Sequence, residues 1–71
     1  MIIRHDAFGN TATICPKSIL PSRDAKQYKT AYVLTLSADY DNDFVYHVSV
    51  HESEDVAIER MQEFSCGLWY Y

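Results

Sequence analysis

Three groupings in this chain have residue types and spacings that could do chemistry. The first is Asp39-Tyr40-Asp41-Asn42-Asp43, where side-chain oxygens at alternate positions resemble the opening of a calcium loop. Such a loop also needs Gly at its sixth position and a bidentate Glu at its twelfth, where this chain has Phe44 and Val50. The EF-hand is excluded, and the segment reads as a solvated turn or an acidic contact surface. The second is His47 and His51, four residues apart with Ser49 between them, and His5 far away in sequence. On an extended strand such a pair is separated by roughly 13 Å at ~3.3 Å per residue, too far to share one ion. We therefore expect no metal site there, and polar residues on the open face of a sheet.

The third grouping is Cys15 and Cys66, which form no C-x-x-C pair and are too few for the disulfide framework of a small secreted domain. The opening Met1-Ile2-Ile3-Arg4-His5-Asp6 breaks its apolar run after Ile3, which reads as neither a signal peptide nor a membrane span. Two reduced thiols in a cytoplasmic protein are the expectation. No G-x-S-x-G, H-E-x-x-H, P-loop or G-x-G-x-x-G occurs, so no catalytic residues and no cofactor are assigned. The enzymatic alternative would be a thiol- or metal-dependent activity built on one Cys and a His.

Charge is more informative than motif. Up to Thr30 the chain carries Arg4, Lys17, Arg23, Lys26 and Lys29 against Asp6 and Asp24. From Ala31 onward it carries Arg60 alone against Asp39, Asp41, Asp43, Glu52, Glu54, Asp55, Glu59 and Glu63, and the whole sums to −4. Such asymmetry bears on partners and solubility. The aromatics, 14% of the chain, would suit a platform for stacked bases, but they concentrate in the acidic half, where phosphate is repelled. Direct nucleic-acid binding is not expected, and several aromatics are assigned to the core.

The elements that must position these groups follow from periodicity. Tyr32, Leu34 and Leu36 alternate with polar or smaller neighbours, and so do Phe44, Tyr46, Val48 and Val50 after the polar stretch 38–43. This is a β-hairpin whose Phe44 face is expected to look into the core. Ser53 with Glu54 and Asp55 behind it suits the N-cap and first turn of a helix. Ala57, Ile58, Met61, Phe64 and Leu68 then recur at helical spacing over about three turns, with Gly67 expected to end the helix in a left-handed cap. Ile2-Ile3-Arg4 and Thr11 to Cys15 read as two short strands around a turn near Gly9-Asn10. Pro16 and Pro21 argue against regular pairing between them, and Ser22 to Lys29 reads as a short helix or a loop. The whole predicts one α+β domain, 1–71, a small antiparallel sheet of three to four strands with one C-terminal amphipathic helix packed on one face.

From Tyr32 to Trp69 the order is apolar strand, acidic turn, apolar strand, Ser-Glu-Asp helix start, amphipathic helix and Gly67-Leu68-Trp69. In size and pattern this resembles small acidic phage-encoded inhibitors, anti-CRISPR proteins among them. The resemblance covers about half the chain and implies an inhibitor that occupies a basic, nucleic-acid-binding surface on a bacterial nuclease complex. The basic first half departs from a uniformly acidic mimic.

The expected function is therefore non-catalytic protein binding through an acidic surface, with Asp39, Tyr40, Asp41, Asp43, Glu54, Asp55, Glu59 and Glu63 facing a basic partner. The alternative is a small structural subunit, a homodimer or larger assembly, joined through an exposed Trp69-Tyr70-Tyr71 tail.

Overall fold

A computed structural model describes residues 1–20, 22–39 and 44–70. Four strands, β1 (Ile2–His5), β2 (Asn10–Ile19), β3 (Lys29–Ala38) and β4 (Phe44–His51), form one antiparallel sheet in the order β1-β2-β3-β4. The helix α1 (Glu54–Gln62) follows, and a 3-10 turn (Ser65–Gly67) closes the chain onto the sheet. This is the small α+β build expected from periodicity.

The meander starts at Asp6-Ala7-Phe8-Gly9, where Gly9 takes φ +85°, a left-handed conformation that suits glycine. β2 runs straight through Pro16, against expectation, and pairs with β3 as far as Ile19↔Lys29. The reason is local: β1 reaches only to Ile2↔Ile14, so at Pro16 the outer side of β2 is a sheet edge, where a missing N–H breaks no ladder. The 22–28 segment is a loop with one turn bond, Ala25 N–H to the Ser22 carbonyl at 3.2 Å.

The core lies between the sheet and α1. Ala12, Ile14, Leu34 and Leu36 project to the helix side and meet Ala57 and Met61, with Ile2, Tyr32, Ile58, Phe64 and Trp69 packed around them. It is thin: the fully buried large side chains are Ile14, Leu34 and Leu36, and the other small members are alanines.

β4 is inverted relative to the sequence reading. Beyond Tyr46, Val48 and Val50 are 60% and 58% exposed on the other side of the sheet, and His47, Ser49 and His51 take the helix side instead, while Phe44, paired with buried Ala38, keeps the expected side but is 57% exposed. The ladder explains it. Leu36 pairs with His47 but Ser37 pairs with Val45, so Tyr46 is an extra residue in a β-bulge. One inserted residue exchanges the two faces of everything beyond it.

The helix also differs from expectation. Ser53 does cap it, accepting from Val56 N–H at 3.3 Å, but α1 ends at Gln62, short of Gly67. Phe64 is extended, and Ser65, Cys66 and Gly67 all take positive φ, which turns the chain back sharply. Phe64 is consequently half-buried, so its truncation should cost less than the full removal of a core aromatic. Ser53→Ala should lower stability by about 1 kcal/mol, read as a shift of the urea midpoint at unchanged slope.

Candidate functional site

Each chemically competent group can now be placed. Asp39 is exposed at the end of β3, its Oδ2 accepting from the Thr11 hydroxyl at 2.7 Å. Thr11 Oγ1 lies 3.2 Å from His5 Nδ1. The Thr11 hydroxyl thus stands between Asp39 and His5, whose role in the contact depends on its tautomer. Tyr40, Asp41 and Asp43 lie outside the described residues, as does Tyr71.

Glu54, Asp55 and Glu59 are exposed on α1, and Glu63 is exposed at its C-cap. Arg60 interrupts them, but its guanidinium pairs with Glu63 and lies 5.5 Å from the Phe64 ring centroid. The remaining three carboxylates face solvent at the N-terminal and middle turns, with Glu54 and Asp55 favourably placed against the helix dipole.

His47, Ser49 and His51 form a chain on the helix side of β4. Ser49 Oγ lies 3.0 Å from His47 Nε2 and 2.7 Å from His51 Nε2. The two side chains therefore lean toward each other far more than a bare strand spacing predicts, and they sit on the covered face rather than the open one. With neutral imidazoles, one ring donates to Oγ and the other accepts its proton. His47 also packs against Phe64, ring centroids 5.0 Å apart. A hydroxyl held between two imidazoles is a hydrogen-bonded nucleophile–base pair in outline. Here it also fills the helix-side flank of β4 with mutually satisfied polar groups. Among the described residues, no three His, Cys, Asp or Glu side chains gather as a metal centre.

Of the aromatic tail expected to be exposed, Tyr70 is exposed but its backbone is paired, and Trp69 is not exposed. Trp69 is half-buried against the core, its indole N–H donating to the Met61 carbonyl at 2.9 Å and the Phe64 carbonyl at 3.2 Å. Tyr70 bridges to β1, with His5 N–H to the Tyr70 carbonyl at 2.7 Å and the return bond at 2.8 Å. Cys66 is exposed in the 3-10 turn, while Cys15 is half-buried on the far side of the sheet, its thiol 3.2 Å from Met1 Sδ.

Sequence reasoning missed Asp6, which is only 4% exposed. Its Oδ1 accepts from Phe8 N–H at 2.9 Å and Asn10 N–H at 2.8 Å; its Oδ2 accepts from Asn10 Nδ2 at 2.7 Å and from the Ser65 hydroxyl. Tyr70 Oη donates to its carbonyl at 3.1 Å. Burial alone pushes this carboxyl up, but the bonds from Ser65, Asn10 and Phe8 outweigh it and hold the pKa below the ordinary 3.8. The signal was present: Asp at the first position of a turn with Gly three residues on.

The helix side of the sheet is thus committed to packing. Its other side is bare, exposing Ile3, Val45, Val48 and Val50 beside half-buried Thr13, Cys15, Val33 and Thr35. No helix among the described residues is long and apolar enough to cross a membrane. No family model, curated protein or solved structure matches this chain, so what its surfaces bind is argued from their own chemistry.

Proposed function

We propose that this domain is a non-catalytic protein-binding module that presents an acidic surface to a basic partner. In its most specific form it is a phage or mobile-element inhibitor that covers a nucleic-acid-binding surface of a bacterial complex. The observation that carries the reading is α1. Glu54, Asp55 and Glu59 are exposed on one element, and the only cation from Ala31 onward, Arg60, is taken by Glu63. A concentrated negative field raises the association rate with a basic surface, and salt screens it. Asp39 lies at the end of β3, and Asp41 and Asp43 follow in sequence.

Replacing Glu54, Asp55 and Glu59 together by Gln should leave the core intact, because all three point to solvent. Capture of a basic protein from bacterial lysate provides the partner, and stopped-flow or surface kinetics measures it at two salt concentrations. The association rate is expected to fall about tenfold at low salt and to converge with the native protein's at high salt. An association rate that neither salt nor the triple substitution alters would reduce the acidic helix to a solubility feature.

A further inference from the structure

We propose that His47 and His51 bind one transition-metal ion of the Zn²⁺ or Cu²⁺ class, with the Ser49 hydroxyl as a weaker third donor between them. The site lies on the helix side of β4 and goes beyond the acidic surface of α1, which needs no metal.

Three donors converge there. A straight strand sets His47 and His51 roughly 13 Å apart along the backbone. Both rings lean inward across that distance until each Nε2 meets the same oxygen, Ser49 Oγ, at 3.0 Å from His47 and 2.7 Å from His51. Donors that share a four-coordinate ion at ~2.1 Å stand about 3.4 Å from one another, and those of a six-coordinate ion about 3.0 Å. Each ring nitrogen is thus already near ligand spacing from the hydroxyl, and rotation of the rings about their Cβ bonds brings the two nitrogens onto the ion.

The exchange balances in protons. As the hydrogen bonds stand, with neutral rings, one imidazole donates from Nε2 to Oγ and the other accepts the hydroxyl proton. Binding takes both Nε2 lone pairs. The donating ring therefore carries its proton on Nδ1 instead, the hydroxyl turns its proton away from the ion, and both imidazoles stay neutral.

The surroundings admit a cation. Arg60 lies by the Phe64 ring on which His47 packs, but its charge is paired with Glu63. Glu52 follows His51 and is exposed, and the chain carries a net −4. Beside the site on β3 stand Leu34 and Leu36, fully buried opposite Ser49 and His47. Imidazole nitrogen suits Zn²⁺, Cu²⁺ and Ni²⁺, whereas Mg²⁺ and Ca²⁺ take oxygen ligands. Two nitrogens and a hydroxyl leave a coordination position to water, and they are fewer strong ligands than a structural zinc site uses. Binding is therefore reversible, and the fold stands without it.

The test is calorimetric titration of the full chain with zinc chloride near neutral pH, with ¹⁵N imidazole spectra to identify the nitrogens and circular dichroism to verify folding. One equivalent should bind with a Kd below about 100 μM. The Nε2 signals of His47 and His51 should shift together while those of His5 stay in place. His47→Asn and His51→Asn should each weaken binding at least tenfold, and Cys15→Ser with Cys66→Ser should leave it unchanged. If His47→Asn fails to fold for want of its contact with Phe64, His51→Asn and the spectra of the native chain decide. A Kd above that limit overturns the proposal, as does zinc binding that His51→Asn leaves unaltered or that shifts His5 instead. Partner association through α1 is measured in the presence of a chelator, so the two readings fail separately.

Discussion

Asp6→Ala is expected to cost roughly 3 to 5 kcal/mol, the largest loss for any single polar position in the chain. The substitution removes the acceptor for two backbone N–H groups, the Asn10 amide and the Ser65 hydroxyl together. These groups belong to the first turn and to the segment after α1, so the loss detaches the C-terminal closure as well as loosening the hairpin. Water reaches part of the turn, which keeps the cost below a simple sum. Asp6→Asn keeps an acceptor but no charge, and should lose about half as much. Urea unfolding measures both, and a loss under about 1 kcal/mol would show that the network is incidental.

The same carboxyl sets an acid limit. Its folded pKa lies below the unfolded value, so the folded chain releases this proton more readily than the unfolded one. The stabilisation is fully present above the unfolded pKa and is lost as pH falls through the folded one. A stability–pH curve should therefore drop below about pH 4, and Asp6→Asn should flatten that limb.

Leu34→Ala is the second large expectation. Leu34 is completely buried under α1, between Ile14 on β2 and Ser49 on β4. Removing its branched end leaves a cavity and should cost about 2 to 5 kcal/mol. A domain of this length has about 4 to 11 kcal/mol in total, so the variant stands near the threshold of folding. Thermal unfolding by circular dichroism gives the answer. Retention of the native midpoint would mean that the helix side of β3 is not the organising layer of the core.

The strand order, the hairpins, the Ser53 cap and the single helix were legible because each depends on neighbours in sequence. Alternation marks strands and an N-cap marks a helix start, whatever the rest of the chain does. The faces of β4 were not legible. Val48 and Val50 alternate as well as Leu34 and Leu36 do, and nothing local says that Tyr46 is passed over. The deciding terms are tertiary: the His47 ring against Phe64, and the two imidazoles satisfied by one Ser49 hydroxyl. Helix length failed for a similar reason. Phe64 and Leu68 keep the helical spacing, but Asp6 draws Ser65 out of line from the far end of the sequence. Of the candidate contact residues, the α1 carboxylates were found by charge alone, while Trp69 and Tyr70 looked free only because their partners, the helix carbonyls and β1, are remote or unmarked.

The bulge at Tyr46 also makes single-residue insertions and deletions in β4 unequal. Loss of the Tyr46 codon would straighten the ladder and leave the inside and outside of the strand as they are, because Val45 and His47 already pair with adjacent residues of β3. Loss of Val48, two codons on, would turn Val50 toward the helix and His51 to the bare side. A lineage carrying this domain can therefore shed a residue at one point of the strand almost silently, while the same event two positions later exchanges its buried and presented surfaces in one step.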